Sequence, residues 1–276
     1  MQPAEQPILT LIQFSDAHVG NPANLPRHDR LAAAVELANA RKPAFVIDTG
    51  DVASHPVYGA QAEYLAEFDG YLEHVARLAP PLYVVPGNHD IGYPEPAAPR
   101  ADGTPWGEYR ELVAAYRLRF AVMDQSFVHS GFRFILVNNN PRTSKGPGHI
   151  SAEQFEWIER ELACGQTTFV FCHVEVLHEG VGGPWGPSAE RLSALCRRHG
   201  VPAVAYGHRH EMHLTPLDGT LYVMCPDLKV PGHQAILEYR LFAGHFDLWS
   251  FDVLSGQGER LGRFDFAREN HSDGKA

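Results

Sequence analysis

The chain is predicted to fold as an α/β protein, because short β-branched runs alternate with amphipathic helical stretches and five of those runs end in clusters of metal-binding residues. The runs are residues 8–14, 44–48, 82–85, 168–172 and 201–205, each apolar and each read as a strand. The clusters behind them are Asp16-Ala17-His18, Gly50-Asp51, Gly87-Asn88-His89-Asp90, His173 and Gly207-His208-Arg209-His210. Loops at the carboxyl ends of α/β strands carry chemistry on a rigid support, so five strand ends would aim their side chains at one point.

In chain order, strand 8–14 leads to a helix over 28–41, strand 44–48, a helix over 60–78 and strand 82–85. Leu65, Phe68 and Leu72, with Tyr58, Tyr64 and Tyr71, recur at helical spacing, a pattern of core and flank. Residues 91–106 hold prolines at 94, 96, 99 and 105 and read as a stiff loop behind His89. A helix opens at Ser151, whose pairing with Gln154 is a capping box, and carries Phe155, Ile158 and Leu162 on one face. Residues 178–187 are a glycine-rich connection, and a further helix over 188–199 stops at Gly200. After His210 the pattern becomes successive strands near 221–224, 234–241, 246–253 and 261–266, with Asp218-Gly219 and Ser255-Gly256 as turns.

A length of 276 residues with 44% hydrophobic content suits one domain, with the metal-binding motifs over 16–210 and a β-rich part over 211–268. A formal charge of −10 argues against a nucleic-acid polymer as partner and favours a small anionic substrate drawn in by metal. Residues 1–7 are polar, the next apolar run is needed as a strand, and no run is long enough to span a membrane, so a cytoplasmic location without membrane contact is expected. The four cysteines, Cys164, Cys172, Cys196 and Cys225, have no paired spacing and read as reduced, buried thiols.

Carboxylate oxygen and imidazole nitrogen without cysteine suit two divalent cations, with Mn or Fe favoured and Zn also accommodated. Asp51 stands alone in its cluster and is the natural bridge between two ions, whose shared water would lose a proton near neutral pH.

As an ordered series, Asp-x-His, Gly-Asp, Gly-Asn-His-Asp, His and Gly-His-x-His over residues 16–210 resembles the calcineurin-like metallophosphoesterase superfamily. The resemblance implies a four-layer αββα sandwich, two mixed β-sheets between outer helices, with a dinuclear metal site at the strand C-terminal ends. It implies Asp16, His18, Asp51 and His210 around one ion and Asp51, Asn88, His173 and His208 around the other. His89 is then left to face substrate as proton donor to the leaving oxygen. The activity implied is hydrolysis of a small phosphate ester by a hydroxide bridging the two ions.

The same motifs look most like the bacterial cyclic-nucleotide and glycerophosphodiester phosphodiesterase branch, so a phosphodiester is the expected substrate. Phosphomonoesterase and nucleotide pyrophosphatase activities are the alternatives within the superfamily. A non-catalytic, metal-stabilised scaffold is the alternative of another class, although this chain has lost neither a ligand nor the histidine. Relatives often assemble, and exposed strand edges in 234–241 or 246–253 would serve a homo-oligomer.

For substrate contacts, Asn88 is joined by Arg142 and Lys145 of the polar segment 138–149, which could grip a phosphate or equally form a solvated surface loop. Many relatives have an acidic residue or asparagine three places after the Asp of Gly-Asp, where it orients the catalytic histidine. Ser54 stands there, so the tautomer of His89 must rest on another group, with Asp90 and His55 as candidates. His28, His74, His129, His199, His245 and His271 lack motif context, while His55, His149, His178, His213 and His233 lie near the predicted site loops.

Overall fold

A computed structural model describes residues 5–20, 26–54, 61–95, 108–144, 146–178, 183–229, 232 and 234–266. The first half runs β1 (Leu9–Phe14), α1 (Pro26–Arg41), β2 (Phe45–Asp48), α2 (Gln61–Val75), β3 (Leu82–Val84), α3 (Asn88–Ile91), α4 (Tyr109–Phe120), β4 (Gln125–His129) and β5 (Phe132–Leu136). Next come α5 (Ala152–Leu162), β6 (Thr168–Phe171), β7 (Leu177–His178), β8 (Gly183–Pro184), α6 (Pro187–His199) and β9 (Ala203–Tyr206). The last strands are β10 (His213–Leu217), β11 (Thr220–Met224), β12 (Ala235–Leu241), β13 (His245–Asp252) and β14 (Gly258–Asp265).

Two six-stranded mixed sheets result, in the orders β14-β13-β12-β1-β2-β3 and β10-β11-β9-β6-β5-β4. β1, β2 and β3 are parallel, as are β5, β6, β9 and β11. Three buried clusters separate four layers. Leu11, Ile47, Phe134, Phe171 and Leu237 pack between the sheets, Ile12 and Phe14 meet Leu31, Val35 and Phe68 of the helices on one side, and Val170 and Val204 meet Ile158 and Leu192 on the other. Burial on both faces explains why β1 reads as an apolar run instead of an alternating one. The expected αββα sandwich is therefore the observed fold.

Local signals acted as their chemistry dictates. Ser151 Oγ accepts from Gln154 N at 3.2 Å while Gln154 Oε1 accepts from Ser151 N at 2.8 Å, and α6 ends at Gly200 with φ 61. Asp218 and Gly219, with φ 51 and 83, form the left-handed turn between β10 and β11. Elements α3, α4, β4, β5, β7, β8 and β10 were not anticipated, although Ser130-Gly131, with φ 50 and 85, turns β4 into β5 with the same Ser-Gly pair that marks Ser255-Gly256.

Two expectations need correction. β12 is paired by β1 and β13, and β13 by β12 and β14, so neither 234–241 nor 246–253 offers a free edge. That edge belongs to β14. Among the cysteines, Cys172, Cys196 and Cys225 are buried and unbridged, whereas Cys164 is exposed. Among the described residues, no helix is long and apolar enough to cross a membrane.

Candidate dinuclear metal centre

The C-terminal ends of β1, β2 and β3 meet those of β6 and β9 from the facing sheet, and their loops are tied by backbone hydrogen bonds. Asp16 N donates to Gly50 O at 2.9 Å, His18 N to Asp51 O at 2.8 Å and Gly207 N to His173 O at 3.1 Å. His208 N donates to Asp16 Oδ2 at 3.0 Å, which joins the two sheets across the site. All five sequence clusters thus converge.

Two groups of side chains face each other. In the first, Asp16 Oδ1 lies 3.2 Å from His210 Nε2 and 3.7 Å from His18 Nε2, and the two imidazole nitrogens are 3.1 Å apart. In the second, His173 Nε2 lies 3.3 Å from Asp51 Oδ2, 3.1 Å from Asn88 Oδ1 and 3.3 Å from His208 Nδ1. Asp51 Oδ2 is also 3.7 Å from His18 Nε2, so one carboxylate oxygen reaches both groups. Its other oxygen is held by the backbone N–H of His89 at 2.7 Å.

These residues fit cations. Asp16 Oδ1 is buried without a hydrogen-bond partner, whereas Oδ2 accepts from Ser15 Oγ at 2.5 Å. His173 donates its Nδ1–H to the Thr49 carbonyl at 2.7 Å, which leaves Nε2 as a lone pair aimed at two oxygens and another imidazole. Atoms that all accept cannot satisfy one another, and a shared positive charge resolves the conflict. A proton does this partially in the bare protein: burial opposes charge on His173, but Asp51 overrides it and lifts the pKa to about 10. His210 is raised in the same way by Asp16 against burial, while burial depresses His18 to about 3 and lowers His208. Cations entering here would displace protons from His173 and His210.

The site stores backbone strain. Asp16, His18, Asp51, His208 and His210 adopt left-handed φ values of 54, 46, 54, 75 and 61. Each such non-glycine conformation costs on the order of 1–3 kcal/mol and persists only when its surroundings impose it. Gly207 shows why no larger residue fits, since a Cβ there would stand 1.9 Å from Ser15 Oγ and 2.4 Å from Asp16 Oδ2.

His89 lies beside the first group, its ring 4.8 Å from that of His18 and edge-on to it. Its Nδ1 is 3.1 Å from the Ser54 carbonyl oxygen, so Nδ1 carries a proton and the backbone at position 54 sets the orientation of the ring. The serine position therefore orients His89 through its backbone, while Ser54 Oγ donates to His18 O at 2.9 Å. Asp90 does not take that role: its carboxylate accepts from Gly87 N, Asp51 N and Ala53 N at 2.7, 2.9 and 3.1 Å. It pins the loops together.

Sequence reasoning missed several supports. Tyr239 Oη donates to Gln13 Oε1 at 2.7 Å, Gln13 Nε2 to Thr49 Oγ1 at 3.1 Å, and Thr49 Oγ1 to Ser15 Oγ at 2.9 Å, a chain that ends on Asp16. Asn139, placed by the sequence in a substrate loop, is buried instead and its Oδ1 accepts from His173 N and Val174 N at 3.1 and 2.9 Å. A polar residue inside an apolar strand, such as Gln13, is the one signal that pointed to this network. Lys229 follows β11, and its charge opposes protonation of His89 and His210.

Arg142 is paired with Glu95, its Nε 2.8 Å from Glu95 Oε1, while Glu95 N donates to Arg142 O at 2.9 Å. It clamps the segment behind His89 to the polar loop. Lys145, His55, His233 and the segment 96–107 lie outside the described residues, as does the tip of the glycine-rich connection at 179–182. His213 is half-buried and pairs with Glu211 at 3.0 Å.

A pair of facing mixed sheets that brings a set of aspartates, histidines and an asparagine together at their strand ends defines the phosphoester-hydrolase class with a dinuclear centre. The calcineurin-like phosphoesterase pattern matches residues 9–212, and the chain belongs to that family. A probable glycerophosphodiester phosphodiesterase from Arcobacter nitrofigilis is 25% identical over 251 residues, 84% of this chain and 82% of its own. In fold, the chain is similar to a dimetal phosphatase from Danio rerio, with a TM-score of 0.69 at 13% identity over 95% of this chain and 100% of the other. It is similar as well to a purple acid phosphatase from yellow lupin, with a TM-score of 0.69 at 16% identity over 94% of this chain and 54% of the lupin chain.

Proposed function

We propose that this protein is a phosphodiesterase that hydrolyses a small phosphodiester with two divalent cations. The observation that carries this reading is the position of Asp51 Oδ2, 3.7 Å from His18 Nε2 and 3.3 Å from His173 Nε2, where one carboxylate oxygen can serve two ions. Asp16, His18, Asp51 and His210 would hold the first, and Asp51, Asn88, His173 and His208 the second. When bound, the cations would neutralise phosphoryl charge and acidify water for attack near neutral pH, with Mn and Fe the metals best matched to the donors.

The remaining steps belong to the chain. His89 would act as the imidazolium: the Ser54 carbonyl accepts from Nδ1–H and orients the ring, Nε2–H gives its proton to the leaving oxygen, and burial, which lowers the pKa of the ring, favours that release. Asn88 also offers its amide: Tyr93 Oη takes one amide proton at 2.9 Å, which leaves the other for a phosphoryl oxygen. Arg142 would contact substrate only by leaving Glu95. Arg142 and Arg209 are both paired, the latter with Nη1 3.9 Å from Glu175 Oε1, while the charge of Lys229 is felt at His89 and His210, a moderate positive field that suits a monoanionic diester. The relative named as a probable glycerophosphodiester phosphodiesterase supports the same choice. β12 to β14 complete the sheet that carries Asp16 and Asp51, which supports reading 1–276 as one domain.

The test is hydrolysis of bis(4-nitrophenyl) phosphate beside 4-nitrophenyl phosphate by metal-free protein refilled with Mn, Fe, Zn or Mg, with Asn88→Ala as control. Metal-dependent preference for the diester is expected. Preference for the monoester would replace the reading by a phosphatase, and metal binding without turnover of either ester would replace it by a scaffold.

A further inference from the structure

Glu175 is a carboxylate buried to 1% exposure, two residues beyond His173 on the loop that follows β6. Its Oε2 lies 3.5 Å from His208 Nε2 and its Oε1 lies 3.9 Å from Arg209 Nη1, so two consecutive residues of the Gly-His-Arg-His motif meet the two oxygens of one side chain. On its other face the same imidazole presents Nδ1 to His173 Nε2 at 3.3 Å. His208 is thus spanned between Glu175 and the second group of metal-binding side chains, one ring nitrogen turned to each.

A carboxylate oxygen facing an imidazole nitrogen is complementary to an N–H there, so this geometry places the ring proton on the nitrogen turned to Glu175 and leaves the nitrogen turned to the site with its lone pair. The alternative tautomer would set two lone-pair-bearing atoms against each other at Glu175 and point an N–H at His173. Negative charge behind an imidazole also makes its other nitrogen a stronger donor. Arg209 supplies positive charge to the same carboxylate, which offsets part of the cost of burying it. Glu175 has little room to turn away, because the cavity beside it, bounded by Asn139, Ile150 and Ser188, holds only about 10 Å³.

We infer that Glu175 is a positioning residue that fixes His208 as the Nε2–H tautomer and thereby prepares Nδ1 to bind the second cation, with Arg209 holding the carboxylate in place. This rests on the proposed assignment of His208 as a ligand, but it concerns the tautomer, which exists without metal. No sequence pattern marked Glu175, since a lone acidic residue two places after a histidine is ordinary.

Nitrogen-15 NMR of the metal-free full chain, with the His208 ring assigned by comparison with His208→Gln, reads the tautomer directly. Binding of Mn(II) alone, measured by calorimetry, reads the two affinities. Wild type is expected to show Nε2–H at His208. Glu175→Leu is expected to lose that preference and to weaken one of the two Mn(II) sites by about 10- to 100-fold while sparing the other. Glu175→Gln keeps the size and an acceptor oxygen, so it should keep the tautomer and weaken the same site by less, and it carries the test if the leucine variant does not fold. An Nδ1–H tautomer in wild type, or a glutamine variant with both Mn(II) affinities unchanged, would overturn the inference. Wild type that shows Nε2–H yet binds no Mn(II) would instead remove the metal assignment under the proposed function and leave the tautomer result standing.

Discussion

The Nδ1 of His89 points at the backbone carbonyl oxygen of Ser54, 3.1 Å away, so the orientation of the candidate proton donor does not depend on the side chain at position 54. Ser54→Ala is therefore expected to keep kcat within about threefold of wild type. It forfeits the hydrogen bond from Ser54 Oγ to His18 O, about 1 kcal/mol. His89→Ala should lower kcat by roughly 10²- to 10⁴-fold with metal content unchanged. Steady-state kinetics with metal analysis checks both, and a Ser54→Ala loss as large as that of His89→Ala would contradict the backbone account.

The approach of Gly207 to Asp16 and of Gly87 to Asp51 leaves no space for a methyl group, with virtual Cβ contacts of 2.4 Å and 2.1 Å to the carboxylate oxygens. Gly207→Ala and Gly87→Ala are each expected to cost about 1–3 kcal/mol of stability by overpacking and to lose metal binding. Denaturant unfolding and metal stoichiometry measure the two effects. Full metal occupancy in Gly87→Ala would show that the loop yields without moving Asp51.

Thr49→Val should cost about 1–3 kcal/mol, because the hydroxyl that joins Gln13 to Ser15 is buried and its partners would lose a donor or an acceptor. The same variant is expected to weaken metal binding modestly, since Ser15 then loses the donor that turns its own hydroxyl toward Asp16 Oδ2. Calorimetric titration with Mn(II) would detect this, and unchanged affinity would confine the chain to a structural role.

Asp48 is buried with Tyr71 Oη donating to its Oδ2 at 2.7 Å, and burial raises its pKa to about 6 from a model-compound value of 3.8. The folded protein then holds this proton more tightly than the unfolded chain does. Its contribution to stability is complete below about pH 4 and is lost as pH rises through about 6, by about 3 kcal/mol in all. Asp48→Asn cannot ionise. In the metal-free protein, wild-type stability minus that of the variant should therefore fall by about that amount between pH 4 and pH 7. A difference independent of pH across that range would place the Asp48 pKa near its ordinary value.

The sequence by itself determined which residues meet at the site, because each cluster follows a run whose β-branched, apolar composition makes it a strand, and a strand end has only one direction in which to project its loop. It also determined the local stops and starts, such as the Ser151 cap and the Gly200 terminus, whose chemistry acts within a few residues. Only the tertiary structure decided how these strands associate. The antiparallel return of β12 onto β1 links positions separated by most of the chain, and it withdrew the supposed free edges from β12 and β13. Packing likewise chose the roles of Ser54, Asn139 and Glu175, because a hydrogen bond or ion pair between distant segments leaves no periodic trace in either one. The left-handed backbone at Asp16, His18, Asp51, His208 and His210 is of the same kind, a local cost borne only because the surrounding loops, joined across two sheets, leave those side chains no other place to stand.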